Sequence, residues 1–419
     1  MTERLYYHNS FLYDFVAALL ERRSLPDGRT ALVLDRTAFY PASGGQVFDT
    51  GWIELEPLEG ERGQFLPKVR VAEVVEEGDD ILHVIDRADE IADAPTRVRG
   101  FIDVDRRRDH MQQHSGQHVL SAAFVELFGM PTVSFHMGDE TCTIDLDAKG
   151  LTADQARQAE QRANQVVWDD QPVSMQFVTE DEARALGVRK IPGAGREKLR
   201  LIHIKDVDLC ACGGTHVRST GQIGSILIRK IEKVKQGVRV EFVCGARAVR
   251  HARKDYETLT DAAAQFSTHP WEVPAQVRNV VEASKLAAKA QHKANEQIAE
   301  LLAERKLATA PEANGTKLVV EVLPEGDLAF AKLFAQKLVA LSPACVALLA
   351  AASGQAALVF AQSPGLPHDM GALLKQAVAA VGGRGGGTRD MAQGGVPDPS
   401  RLQELLDEAV KTFRPTAGD

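Results

Sequence analysis

The sequence predicts an α+β chain built from several domains. Three observations carry that expectation. The 419 residues exceed what one ordinary core serves. The apolar period changes from strand-like to helical near Asp109. After Gly315, short apolar runs alternate with helical ones. In chain order, residues 1–95 read as a small antiparallel β-barrel, 96–246 as an α+β domain, 247–309 as a helical hairpin and 316–419 as a small α/β domain.

In the first segment, residues 31–35 form a short apolar run and 51–55 alternate, with further strands expected at 69–75 and 81–85. Between the first two lies the loop Phe39-Tyr-Pro-Ala-Ser-Gly-Gly-Gln46. From Asp109, the residues Val119, Leu120, Ala123, Leu127 and Phe128 share one helical face, and Gly129-Met-Pro131 stops the run. Strands are expected near 142–146 and 173–178, a helix over 153–169, and extended chain over 217–231 and 238–244 with a turn at Gly237. The helix over 247–266 is broken by Ser267-Thr-His-Pro270. A second helix over 274–306 carries Val277, Val281, Ser284, Ala287, Ala294, Ile298 and Leu301 near heptad spacing, a seam suited to this chain or to a second copy. Residues 310–315 read as a linker. Strands at 318–322, 346–350 and 357–361 then alternate with helices at 329–341 and 371–381. The chain closes with the glycine run 382–387 and Asp390-Met-Ala-Gln-Gly-Gly395.

A content of 44% hydrophobic and 26% charged residues is that of a soluble globular protein. No apolar run reaches the length of a membrane span, and the first residues have no secretory pattern. Five cysteines at irregular spacing argue against a disulfide framework and for a reducing cytoplasm. The net charge of −9 hides basic clusters at Arg106-Arg107-Arg108 and through Arg229, Lys230, Lys233, Lys235 and Arg239, followed by Arg247, Arg250 and Arg253. Phosphate binding depends on such local patches, so a nucleic-acid partner stays open.

Two fragments carry the chemistry. His114-Ser-Gly-Gln-His118 places two imidazoles four residues apart on one helical face. Cys212-Gly-Gly-Thr-His216 adds a thiol and an imidazole around a flexible diglycine. Together they complete a tetrahedral donor set of the kind zinc prefers. His110 shares the helical face but lies roughly 12 Å from His118 along the axis, too far to share an ion with it, and is expected on the first turn near phosphate or solvent. Cys210 is an alternative to Cys212, though further from the bend and from His216. Ions of this kind lower the pKa of a bound water and polarise carbonyls, which points to hydrolysis. Four protein donors would close the site, so one of them, His216 in this reading, is expected to be loosely held, or else the ion mainly orients substrate.

These two fragments, with the Phe39–Gln46 loop before them, resemble the editing domain of alanyl-tRNA synthetase and the free-standing AlaX trans-editing proteins. The glycine run followed by Asp390-Met-Ala-Gln-Gly-Gly395 resembles the DHHA1 domain of the synthetase and of the long AlaX form. The resemblance covers nearly the whole chain. It implies a zinc-dependent aminoacyl-tRNA deacylase that cleaves serine, and secondarily glycine, from tRNA(Ala) in trans. With the barrel first, no part of the chain is expected to charge tRNA. The zinc ligands would be His114, His118, Cys212 and His216, and the catalytic group the zinc-bound water. A polar group reading the serine hydroxyl would be Thr132, Ser134 or His136, with Thr37 a weaker alternative, because a donor left unpaired by alanine rejects it. Gly44, Gly45 and Gln46 would contact substrate through exposed amides. Arg106, Arg107 and Arg108, together with Gly383, Arg384, Gly385, Gly386 and Arg389, would hold tRNA. The C-terminal region would support a homodimer. Cys210 stands where related sequences often carry an acidic residue. Rival readings are a Ser-tRNA(Thr) deacylase and a non-catalytic tRNA-binding protein with a structural zinc.

Overall fold

The computed structural model describes residues 1–55, 68–86, 97–188, 198–313 and 315–413. The chain divides into two compact units, Met1–Ala262 and Ala263–Asp419. The expected boundary at 95/96 lies outside the described residues.

The first unit begins with the expected barrel. Six strands close in the order Asp14–Ser24, Thr30–Leu34, Asp80–Ile85, Lys68–Glu77, Gly51–Leu55 and Arg97–Ile102. Their alternate residues point inward, so Phe15, Leu32, Leu34, Ile53, Val71 and Val98 fill the interior with Phe39 from the following loop. His83 is buried there too: its Nδ1–H donates to Leu32 O at 2.9 Å, and its Nε2 lies 2.7 Å from Thr37 Oγ1. Thr37 also accepts the Phe39 amide, so it belongs to the barrel core and is not available to read a substrate hydroxyl.

Helix α1, Val104–Phe128, leaves the barrel and runs through the middle of the unit. It starts five residues earlier than the apolar pattern indicated. The reason is burial: Arg107, His110, Gln113 to His118 and Ser121 are all covered, so no single apolar stripe marks the helix's first half. Gly116 is required there, since a Cβ would sit 2.2 Å from Cys244 Sγ on the strand Gly237–Cys244. Gly129, at φ 63, ends the helix.

Helix α2, Ala153–Trp168, and the short α3, Glu180–Ala185, each begin at a threonine capping box. An antiparallel sheet runs Ile226–Val234, Gly237–Cys244, Cys142–Leu146, Thr132–Met137. A second has Val173–Val178, Leu199–Ile204 and Asp208–Ala211. The last two strands escaped the sequence reading, and the expected extended chain over 217–231 starts only at Ile226, after a 3-10 turn at Thr220–Ile223. Helix α4, Gly245–Gln265, crosses the division between the units.

In the second unit, Ser267 at φ 51 and a 3-10 turn at Pro270–Glu272 precede helix α5, Val273–Thr309. A six-stranded sheet follows in the order Glu312–Ala313, Thr316–Leu323, Cys345–Ala351, Ala357–Gln362, Met391–Gly395, Arg384–Gly387. Residues 312–313 and 316–317, expected as linker or its border, pair as a hairpin. Only Thr316–Leu323 and Cys345–Ala351 run parallel; the other neighbours are antiparallel. Helices α6 (Leu328–Leu341), α7 (Met370–Ala379) and α8 (Leu402–Val410) pack against it.

The glycine run corrects one expectation. It is not an open anion-binding loop; Arg384–Gly387 is an edge strand paired with Met391–Gly395, Gly385 facing Gly394. A Cβ on Gly385 would lie 2.6 Å from Leu374 Cδ2, and one on Gly387 2.4 Å from Ala392 Cα. The glycines therefore answer close packing against α7 and the next strand. Arg384, Gly385 and Gly386 line a cavity of about 670 Å³, while a Cβ on Gly383 would lie 2.4 Å from Gly395 O. Arg389 donates to His368 O and Pro367 O. Among the described residues, no helix is long and apolar enough to cross a membrane.

Candidate metal centre

His114, His118, Cys212 and His216 converge, their donor atoms all within 4.8 Å of one another. Helix α1 supplies the first pair, one turn apart. The turn after strand Asp208–Ala211 supplies the second. Cys212 Sγ lies 3.0 Å from His114 Nε2 and 3.4 Å from His216 Nε2, and the Gly214 N–H donates to the sulfur at 3.3 Å. The diglycine has a steric purpose: a Cβ on Gly214 would sit 2.5 Å from His114 Cε1.

The turn is pinned from two sides. Buried Arg200 donates to Cys212 O at 2.8 Å and Gly214 O at 3.0 Å. Gln46 donates to Thr215 Oγ1 at 2.9 Å and accepts the Thr215 amide at 3.1 Å. Gln46 is therefore spent on the protein, which corrects its expected substrate contact. Gly45 is spent likewise: its carbonyl accepts the Met137 amide, and a Cβ there would lie 2.3 Å from Phe135 O. Gly44 remains at the rim.

Charge suits a cation. Burial pushes the Cys212 thiol up, but the imidazoles of His114 and His216 hold it well below its ordinary range, as a thiolate. Burial lowers His216 to about 3, against the opposing pull of Cys212. His118 runs the other way: burial lowers it, yet Cys210 and the Asp208 carboxylate raise it well above its usual value. Its Nδ1 lies 3.0 Å from Asp208 Oδ2 and 3.2 Å from Cys210 Sγ. Thiolate, converging imidazoles and an amide-supported sulfur fit a zinc-type donor set.

Three of the donors, His114, His118 and Cys212, line a cavity of about 390 Å³ that Gly44, Gln117, Thr132, Ser134, Phe135 and Cys210 also border. Of the three hydroxyl-reading candidates, His136 is exposed and does not line it. Ser134 donates to Asp145 Oδ2 at 2.8 Å, a carboxylate also held by Arg239. Thr132 Oγ1 lies 2.6 Å from Ser121 Oγ, which accepts from Gln117 Nε2 at 2.8 Å. Gln117 donates to Ser121, and either hydroxyl of the Ser121–Thr132 pair can donate to the other; when Ser121 donates, the Thr132 hydrogen is free to face the cavity. Gln117, Ser121, Asp208 and Arg200 escaped the sequence reading.

The basic triplet is split. Arg107 is fully buried, paired with fully buried Asp49, and donates to Ser10 O and Ala38 O, so it cannot meet a phosphate. Arg106 donates to Phe48 O, and Arg108 alone is exposed. His110 is neither on the first turn nor near solvent. It is buried, and desolvation with the cations of Arg106 and Arg247 lowers it to about 3. In the later basic group, Arg229, Lys230, Arg239 and Arg247 are paired with Asp255, Glu232, Asp145 and Asp109.

A family model described as the threonyl and alanyl tRNA synthetase second additional domain matches residues 199–240, and the DHHA1 domain matches 328–414. The chain is 30% identical over 418 residues to the alanyl-tRNA editing protein AlaX-L of Pyrococcus horikoshii, covering 99% of each. It is 31% identical over 420 residues to the alanine–tRNA ligase of Pyrococcus abyssi, covering 98% of this chain and 43% of the ligase. The chain belongs to the AlaX-L family of alanyl-tRNA editing proteins.

Proposed function

We propose that the chain hydrolyses the ester linking a wrong amino acid to tRNA(Ala), serine foremost and glycine second. The carrying observation is the convergence of His114, His118, Cys212 and His216, the first three of which line a cavity together with Thr132. When zinc is bound by those four side chains, it supplies Lewis-acid polarisation and an acidified water. The protein's own residues do the rest. The Cys212 turn, pinned by Arg200 and Gln46, fixes the donors before substrate arrives. Thr132, oriented by Ser121 and Gln117, offers its hydroxyl hydrogen to a serine Oγ, which neither alanine nor glycine can match. Gly44, with no neighbour near its Cα, leaves backbone room at the rim for the terminal ribose. Arg108 and the cavity beside Arg384 are the remaining candidates for tRNA contact.

A Ser-tRNA(Thr) deacylase uses the same chemistry, and the description of the first matched family model names both synthetases; the DHHA1 match and the AlaX-L relative favour alanine's tRNA. The test is hydrolysis of Ser-tRNA(Ala), Gly-tRNA(Ala), Ala-tRNA(Ala) and Ser-tRNA(Thr), before and after metal removal. Metal-dependent cleavage of the first two with Ala-tRNA(Ala) spared is expected. Tight tRNA binding with no cleavage of any ester would leave a binding protein with a structural metal.

A further inference from the structure

The three imidazoles of the cluster are not held alike. The His118 Nδ1–H faces buried Asp208 Oδ2 at 3.0 Å. His216 Nδ1 lies 3.2 Å from Ser115 Oγ, which also accepts the Val217 amide at 3.2 Å. For Nε2 of His216 to carry the lone pair, Nδ1–H must be the donor to Ser115, and the hydroxyl oxygen has the two lone pairs that this requires. The His216 backbone is fixed too, its N–H donating to Ser10 Oγ. His114 differs: its Nδ1 is buried with no hydrogen-bond partner, so beyond the Cys212 sulfur its ring is held by packing against Gly214, Phe135 and the other two imidazoles. Position separates them as well. His114 and His118 line the reaction cavity, whereas His216 borders a different, smaller cavity beside Ser10 and Arg218.

We propose that His114 is the exchangeable donor of this cluster, while Asp208 and Ser115 are positioning residues that lock His118 and His216 onto the metal. This rests on the metal-dependent hydrolase reading. A donor hydrogen-bonded through its far nitrogen has its ring orientation and tautomer fixed, and losing such a partner weakens metal binding about 10–100-fold. A ring held by packing alone can swing with little loss. Of the two imidazoles that border the cavity where the ester must lie, His114 is the one without a partner on its far nitrogen, so its departure opens a position there. Once released, its imidazole remains at the wall of that cavity, where it acts as a base. It takes a proton as the water O–H breaks and oxygen bonds to the ester carbon. It then returns that proton to the ribose oxygen as the C–O bond breaks, so no other reactant is needed. This reverses the expectation that His216 is the loose ligand.

The test is competition of zinc against a chromophoric chelator, together with cobalt absorption spectra, on the full chain and on five variants. The unaltered chain is expected to bind one equivalent; no binding would remove the metal reading itself, independently of the ranking. His118→Ala and His216→Ala are expected to lose affinity by 100-fold or more. His114→Ala is expected to stay within about 10-fold while deacylation falls at least 100-fold. Asp208→Asn is expected to bind roughly 10–100-fold more weakly, with partial recovery in Asp208→Glu. Circular dichroism identifies any variant that has unfolded, and His114→Gln replaces His114→Ala if needed. Loss of metal by the His114 variant equal to that of His118→Ala overturns the proposal, as does unchanged affinity in Asp208→Asn.

Discussion

Replacing Asp49 by alanine asks whether Arg107 is a structural cation. Both side chains are fully buried, and Arg107 Nε reaches each carboxylate oxygen at 3.1 Å. Asp49 also accepts the Tyr40 amide at 2.7 Å. Without the carboxylate, the guanidinium keeps only the carbonyls of Ser10 and Ala38 and has no paired counter-charge. Removing one partner of a buried pair costs about 3–5 kcal/mol. For a unit of this size, about 4 kcal/mol lowers Tm by roughly 8–16 °C, and at a slope of about 3 kcal/mol per M the urea midpoint falls by about 1–2 M. Urea denaturation followed by far-UV circular dichroism reads this directly. The double variant Asp49→Leu with Arg107→Met should regain most of the loss, because a buried pair replaced by apolar groups is often neutral. A single variant that loses under about 1 kcal/mol, or that keeps its stability but loses tRNA affinity and salt slope, would return Arg107 to a phosphate-binding role.

Three further outcomes are expected. Gly214→Ala, whose Cβ would meet His114 at 2.5 Å, should lose hydrolysis while keeping metal, since it displaces the donor held only by packing; metal loss equal to that of His118→Ala speaks against that. Thr132→Val should slow Ser-tRNA(Ala) cleavage about 10–100-fold, from roughly 1–3 kcal/mol of lost or unmatched hydrogen bonding, and leave Gly-tRNA(Ala) unchanged; equal losses on both substrates would show that Thr132 does not read the hydroxyl. His83, lowered by burial to about 4 in the folded barrel against an ordinary 6.5, favours proton uptake by the unfolded chain. Its stabilisation is complete above pH 6.5 and is lost as pH falls toward 4, by about 3 kcal/mol in total. His83→Gln should flatten denaturation midpoints across that window, and an unchanged pH slope would assign it to other groups.

The fold was legible where one side of an element meets solvent. The barrel strand Gly51–Leu55 alternates buried and exposed residues, and α2 shows its apolar face and its cap in the sequence itself. Legibility failed where both faces are covered or where packing dictates glycine. The first half of α1 carries Gln113, His114, Ser115, Gln117 and His118 into the interior, so its pattern reads as polar although the helix is central. The run Arg384–Gly387 reads as a loop because glycine is the residue of loops, yet at Gly385 and Gly387 a Cβ would collide with α7 or the next strand.

The metal donors were legible for a different reason than the groups that hold them. Histidine and cysteine are scarce, and their spacing on a helix and around a diglycine already fixes which atoms can meet. Asp208, Arg200 and Gln46 are common residue types from separate elements, with no spacing that ties them to a donor, and Ser115 and Thr215, though beside donors in sequence, carry no mark of the groups they hold. Asp208 reaches His118 only because Asp208–Ala211 pairs with Leu199–Ile204, a strand the sequence pattern left unassigned. Gln46 reaches Thr215 across 169 residues, so the glycine loop that resembled a substrate cradle serves instead as the backing of the Cys212 turn. Under the proposed hydrolase function, substrate recognition is assigned to a hydroxyl that still faces the cavity. By that criterion Thr132 qualifies, while Ser134 is committed to Asp145 and Thr37 to the barrel core.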